Sequence, residues 1–233
     1  MRINKYLASC GIASRRKVEE YIISGRVLVN NEVQTNLVYD IKDTDVVKFD
    51  NKVVTLAQEL EYYILNKPKG YISSVKDDRG RKVVTDLINT KARIYPIGRL
   101  DYDSEGMLLL TNDGDLMNKL THPKHLIGKT YIVNILGSIK NEDVKKLEEG
   151  VVIDNYKLHP CKIKILEKQF NKTKLSITIY EGRNREIRKM FESVGKKVVY
   201  LKRIKIADFE MRGLNRGEYR PLTQKEIDYL KNL

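Results

Sequence analysis

The chain reads as an α+β protein. A small N-terminal helix-and-hairpin module (1–50) precedes a linker (51–60) and a larger domain (61–233), whose sheet is mixed, mainly antiparallel and flanked by helices. Three observations lead there. The first fifty residues alternate short helical runs with short strand-like runs. The pattern lengthens abruptly at Glu61. Beyond it, strands and helices mingle without strict β–α alternation, unlike a doubly wound parallel sheet. With 41% apolar residues over 233 positions the chain can bury a real core, which argues against disorder.

In the small module, Ile3, Tyr6, Leu7 and Cys10 fall at helical spacing, and Gly11 stops the run. Ser14 caps a second helix with Val18, Tyr21 and Ile22 inward, ended by Gly25. Val27-Leu28-Val29, the turn Asn30-Asn31 and Val33 form a hairpin, and Val46–Phe49 a further strand. In the larger domain, strands are expected at 62–65, 71–75, 107–111, 131–136, 162–166, 174–180 and 198–206. Helices are expected at 84–88, 114–120, from Asn141, at 185–194, and after the capping box Thr223/Glu226. No internal repeat or low-complexity tract is present.

The net charge is +13, from 44 Lys+Arg against 31 Asp+Glu, which favours a polyanionic partner. The excess is localised. Residues 1–30 carry six Lys/Arg against two acids, and residues 181–220 carry twelve against six, whereas residues 31–60 carry three against six. Arg15, Arg16 and Lys17 fall in the first turn of the second helix, an unfavourable position for cations beside a helix dipole. A docked phosphate would relieve that repulsion. No apolar run approaches a membrane span, so no membrane partner is expected. The polar start does not fit a secretory signal. The two cysteines, Cys10 and Cys161, suit a reducing cytoplasm and read as small buried hydrophobes.

Several familiar chemistries lack their residues. Gly128-Lys129-Thr130 ends like a phosphate loop, but Pro123 stands where the earlier glycine is required. There is no G-x-G-x-x-G for a dinucleotide or methyl donor. His122, His125 and the distant His159 read as turn residues rather than metal ligands, and neither cofactor nor metal is expected. The most informative stretch is GRLDYDSEGMLLLTNDGDLM, residues 98–117. It sets Asp101 at the mouth of an apolar strand, two residues after Arg99. The remaining inventory is a carboxylate, tyrosines and arginines.

Residues 1–32, MRINKYLASCGIASRRKVEEYIISGRVLVNNE, resemble the αL-type RNA-binding module first seen in ribosomal protein S-four. The resemblance implies that Arg2, Lys5, Ser14, Arg15, Arg16, Lys17 and Arg26 face an RNA backbone. Four further blocks occur in order: NKPKGYISSVKDDRGRKVVTDL, YPIGRLDYDSEGMLLLTNDGDLMNKLTHP, KTYIV and YEGRNREIRKMF. Together they resemble ribosomal RNA pseudouridine synthases that carry such a module. The NKPKG block and the module are most similar to the enzymes acting on large-subunit rRNA; small-subunit rRNA stays open as a target.

The resemblance implies isomerisation of one uridine without a cofactor, by a chain acting in the cytoplasm as a monomer on a structured rRNA stem-loop or an assembly intermediate. Asp101 is then the essential carboxylate and Arg188 the cation that keeps it ionised. Tyr131 stacks on the uracil and Ile187 packs near it. Arg99 fills the gap left by the everted base. Arg183, Asn184 and Arg185 hold the strand at the entrance, and Lys67 and Lys69 hold phosphates. Two alternatives share the composition: a non-catalytic RNA-binding assembly factor, and an RNA methyltransferase, which the missing glycine motif disfavours.

Overall fold

A computed structural model describes residues 1–56 and 59–233, which form two compact units. The first comprises Met1–Glu61 with Lys91–Arg93 and Asn112–Gly114, and the second the remainder.

The first unit opens with helices α1 (Ile3–Ser9) and α2 (Arg15–Ile23). Ser14 Oγ accepts the Lys17 N–H at 3.3 Å and starts α2; Gly25, at φ +72°, lies just past its end. Strands β1 (Val27–Val29), β2 (Glu32–Val33), β3 (Val47–Phe49) and β4 (Lys52–Val53) form an antiparallel sheet in the order β2-β1-β3-β4. Asn30-Asn31 and Asp50-Asn51 turn its two hairpins with positive φ at all four residues, as a type I′ turn demands. Ile3, Leu7, Val18, Ile22, Val27, Val29, Ile41 and Val47 fill the core. The segment expected to be a linker thus begins with a strand: the Asp50-Asn51 turn returns the chain to pair Lys48 with Val53. Ala57 and Gln58, also expected as linker, lie outside the described residues.

The second unit is built on a nine-stranded sheet. Its elements begin with β5 (Tyr62–Lys67), β6 (Tyr95–Ile97), β7 (Glu105–Thr111), α3 (Gly114–Thr121), β8 (Lys129–Leu136) and α4 (Asn141–Glu148). A separate hairpin, β9 (Val152–Ile153) and β10 (Tyr156–Lys157), precedes β11 (Lys162–Gln169) and β12 (Lys172–Ile179). Then come α5 (Glu186–Glu192), β13 (Val198–Ile206), β14 (Phe209–Glu210), β15 (Tyr219–Pro221) and α6 (Gln224–Lys231). The main path runs β11-β12-β8-β13-β7-β5-β15, with β6 paired to β7 and β14 to β13. Among the described strands of this sheet, β13 pairs with β7 in parallel and the other pairings are antiparallel.

Strand β7 is buried along its whole length, which explains its unbroken apolar run. Gly106 lets β13 approach it: a Cβ there would stand 2.2 Å from the Arg203 carbonyl oxygen. Met107 and Leu109 join Ile64, Leu116, Leu120, Phe209, Leu222 and Leu230 in one cluster. Burying each such side chain contributes about 1.5–3 kcal/mol. Cys161 is buried and its thiol is pushed up to about 12 by that burial.

One expected strand is absent. Residues 71–75 make only a single bridge, Ile72 to Val83, instead of a ladder. The reason lies in Ser73, whose hydroxyl binds the backbone of Leu100 and draws the segment away from regular pairing. Expected helix 84–88 is a single 3₁₀ turn, Val84–Leu87.

Candidate active site

Asp101 lies in the loop that enters β7, between Leu100 and Ser104, both buried. Three neighbours hold this loop. Gly70 N–H donates to the Tyr102 carbonyl at 2.9 Å. Ser73 Oγ accepts the Leu100 N–H at 3.1 Å and donates to the Leu100 carbonyl at 2.9 Å. Lys67, fully buried, donates from Nζ to the carbonyls of Pro68 at 3.0 Å, Asp101 at 3.1 Å and Ser104 at 2.9 Å. Burial pushes this amine down to about 8, against the opposing pull of Asp101, Asp103 and Glu105. The expectation that Lys67 holds a phosphate is therefore overturned, since its amine is buried and turned to the main chain. The residue sits inside β5, and its three donors bind main-chain oxygens of the acid loop.

Helix α5 supplies the cations. Arg185, at φ +50°, precedes the helix, and the Glu186 carboxylate accepts the Arg183 N–H at 2.7 Å. Arg188 is buried and donates to the Val198 carbonyl at 3.2 Å. Its Nη2 lies 2.9 Å from Asp103 Oδ2, whereas its Nε is 3.9 Å from Asp101 Oδ2. Arg185 Nη1 stands 3.6 Å from Asp103 and 3.9 Å from Asp101. Two guanidiniums thus face two carboxylates. Asp103, not singled out from the sequence, is the closer partner of Arg188. Its signal was present in the alternation Asp101-Tyr102-Asp103. Arg185, expected to hold RNA at the entrance, instead reaches both acids.

Tyr131 is buried on β8, and with Asp101, Arg99, Arg185, Glu186 and Ile187 it lines one pocket. Arg99 is exposed at its rim. Arg183 lines the same pocket, and its guanidinium stacks 3.6 Å from the centroid of Tyr156. Asn184 is exposed beside it. Glu186 was also missed by sequence reading. Burial raises its carboxyl to about 7, with Glu181 adding to the rise and the Arg183 N–H, Lys129 and Arg183 opposing it. Lys69 stands elsewhere, its Nζ 5.6 Å from the Tyr200 ring centroid. Among the described residues, no cluster of three or more His, Cys, Asp or Glu side chains could hold a metal.

Residues 61–193 match the RNA pseudouridylate synthase family, and residues 1–47 match the S4 domain. The chain belongs to the RNA pseudouridylate synthase family. It is 46% identical to ribosomal large subunit pseudouridine synthase B of Bacillus subtilis (strain 168), over all of this chain and 96% of that protein. It is 38% identical to an uncharacterized RNA pseudouridine synthase of Aquifex aeolicus (strain VF5), over 99% of this chain and 93% of that one. A crystal structure of a pseudouridylate synthase superposes with a TM-score of 0.73 at 31% identity, covering 99% of both chains. This family's reaction turns uridine into its C-linked isomer.

The S4 domain presents its cations unevenly. Arg15 and Arg16 are exposed and form no ion pair among the described residues. Lys17 pairs with Glu20, and Arg2 Nε lies 3.8 Å from Asp40. Arg26 pairs with Asp50 and stacks on Tyr21 and Phe49, 4.3 and 4.7 Å from their centroids. Lys5 is half-buried. Ser14 is committed to capping α2. Of the seven residues expected on RNA, Arg15 and Arg16 are the exposed pair without an internal acid.

Proposed function

We propose that this pseudouridine synthase isomerises a uridine of large-subunit rRNA, with Asp101 as its essential carboxylate. The observation that carries the reading is the convergence of Asp101, Tyr131 and two guanidiniums at one pocket. The reaction breaks the C1′–N1 bond, turns the uracil and forms C1′–C5; the C5 proton leaves and N1 gains one. Addition of a carboxylate at C1′ and abstraction of the C2′ proton both require an anion at this point. Arg185 and Arg188 place two guanidiniums within 3.9 Å of the Asp101 carboxylate. Their distances to Asp101 are long enough to leave it available rather than locked in a bidentate pair.

A uridine in folded RNA must leave its stack to reach Asp101. Arg99 at the rim is suited to fill the vacated position, and the Tyr131 ring to hold the base while it is detached. Arg183 and Asn184 are suited to the flanking strand. The 46% identity to the Bacillus large-subunit enzyme over the full chain favours large-subunit rRNA as the target. The test is Asp101→Asn assayed by tritium release from C5-labelled rRNA. Loss of release with retained RNA affinity is expected, and full activity overturns the assignment. Pseudouridine maps of total RNA with and without the gene test the target: a missing large-subunit site is expected, and a missing small-subunit site alone overturns it.

A further inference from the structure

The sheet of the second unit has two faces, and the pocket uses only one. Tyr131, Val133 and Ile135 of β8 point to the buried side, as do Leu175, Ile177 and Ile179 of β12. Their alternate neighbours occupy the reverse face. The strand register lays these out in rows. Lys164, Ser176, Ile132 and Lys202 form one row across β11, β12, β8 and β13. Glu167, Lys174, Asn134 and Tyr200 form the next, and Gln169, Lys172 and Leu136 the one after. Lys162 opposite Thr178 begins a fourth row.

Across β11, β12, β8 and β13 this face carries Lys162, Lys164, Lys172, Lys174 and Lys202 beside the acid Glu167; Glu105 of β7, opposite Lys202, is buried and paired with Arg216, and Lys205 at the end of the fourth row is paired with Asp208 and Glu210. None of the five lysines forms an ion pair among the described residues. Glu167 lies opposite Lys174 but takes its hydrogen bond from Gln169, at 2.6 Å. A shallow depression runs through the middle of the face, between Ile132, Asn134, Lys174, Tyr200 and Lys202. Lys69 adds a sixth cation beside Tyr200. Lysines on an edge strand commonly guard it against aggregation, which accounts for Lys162 and Lys164 on β11. It does not account for Lys172, Lys174 and Lys202, which lie on the interior strands β12 and β13. A surface with this excess of positive charge attracts a polyanion.

We propose that this reverse face is a second RNA-binding surface, taking the phosphodiester backbone of a segment other than the one that enters the pocket. The inference rests on the RNA substrate of the family and is independent of which acid is essential or which uridine is modified. Because the face lies on the other side of the sheet from Tyr131, one hairpin in the pocket does not cover it. The surface belongs to recognition of an extended, folded RNA.

The test is lysine-acetylation footprinting of the full-length wild-type chain with and without a large-subunit rRNA transcript. Protection of Lys164, Lys174 and Lys202 is expected, with Lys145 and Lys146 on α4 remaining reactive. In parallel, Lys172→Gln/Lys174→Gln/Lys202→Gln should reduce the slope of log K against log salt by about 2, at roughly 0.7–0.9 per phosphate contact. Full reactivity of the three lysines in the complex overturns the proposal. Protection by an acidic polypeptide such as polyglutamate but not by RNA assigns the face to a protein and also overturns it. An Asp101→Asn chain should give the same footprint, so failure of the catalytic assignment leaves this result readable.

Discussion

The ammonium group of Lys67 donates to the main-chain oxygen of Asp101 at 3.1 Å from a fully buried position. The acid loop is therefore held from beneath by a side chain that never meets solvent. Lys67→Met should leave the Pro68, Asp101 and Ser104 carbonyls without this donor. Each unsatisfied buried acceptor costs about 1–3 kcal/mol, so a loss of roughly 3 kcal/mol in denaturant unfolding is expected. In the folded fraction, turnover should fall more than RNA affinity, because the loop moves while the S4 domain is untouched. Retention of both stability and turnover would remove Lys67 from this role.

The same burial has a pH signature. The Lys67 amine sits at about 8 in the folded chain, against 10.5 ordinarily. A depressed lysine favours folding most above its unfolded value, and that contribution is lost as pH falls through the folded value. The stability of wild type relative to Lys67→Met should therefore rise between pH 8 and 10.5. Parallel unfolding midpoints across that window would contradict it.

Asp101 and Asp103 share two arginines but differ in their contacts. Asp103 holds Arg188 at 2.9 Å, and Asp101 stands 3.9 Å away. Asp101→Asn should abolish isomerisation. Asp103→Asn removes only the tighter positioning contact and should lower the rate about tenfold, since a positioning hydrogen bond to a charged group contributes roughly 1.5 kcal/mol. Tritium release from both variants separates the roles. Equal loss in the two would make the acids a joint catalytic unit.

Much of this fold was legible because its signals are local. Ser14 as a cap, Gly25 as a terminator and Asn30-Asn31 as a turn are chemical requirements visible in the residues themselves. The mixed sheet followed from strands and helices that do not alternate. What escaped depended on partners distant in sequence. Lys67 looked like a surface cation in a Lys-Pro-Lys turn. Its burial follows from the apolar run Tyr62–Leu65 that carries it inward, and its acceptors at Asp101 and Ser104 lie more than thirty residues away. Ser73 broke an expected strand through its bonds to Leu100. The Asp50-Asn51 and Asp154-Asn155 turns were readable by the rule that found Asn30-Asn31. The pairing of Asp103 with Arg188 was not, since it joins two sequence blocks that nothing in either one connects.

The S4 domain offers a contrast within a single helix. Arg15 and Arg16, in the first turn of α2, form no ion pair among the described residues, while Lys17 is paired with Glu20. Arg15→Gln/Arg16→Gln should flatten the salt dependence of rRNA binding by about 1.5 in slope, at roughly 0.7–0.9 per phosphate. Lys17→Gln alone should change it less. A loss of roughly 0.7–0.9 from Lys17→Gln, the full share of one phosphate contact, would show that its pairing with Glu20 opens on binding.

Glu186 provides the acid counterpart to Lys67. Its carboxyl is raised by burial to about 7, against 4.5 ordinarily. A raised acid contributes stability that is fully present below its unfolded value and lost as pH rises through its folded value. Wild type should therefore lose stability between pH 4.5 and 7, by on the order of 3 kcal/mol at about 1.4 kcal/mol per unit. Glu186→Gln keeps an oxygen to accept the Arg183 N–H but cannot ionise. The difference in unfolding free energy between the two chains should swing toward the variant across that interval and stay level above it. Glu186 also lines the pocket with Asp101 and Tyr131, so the charge it acquires near neutrality falls beside the carboxylate proposed as essential. Turnover of Glu186→Gln, measured from pH 5.5 to 8.5, should accordingly lose a titration step near 7 that the wild-type profile contains. A step that persists unchanged in the variant would assign it to another group.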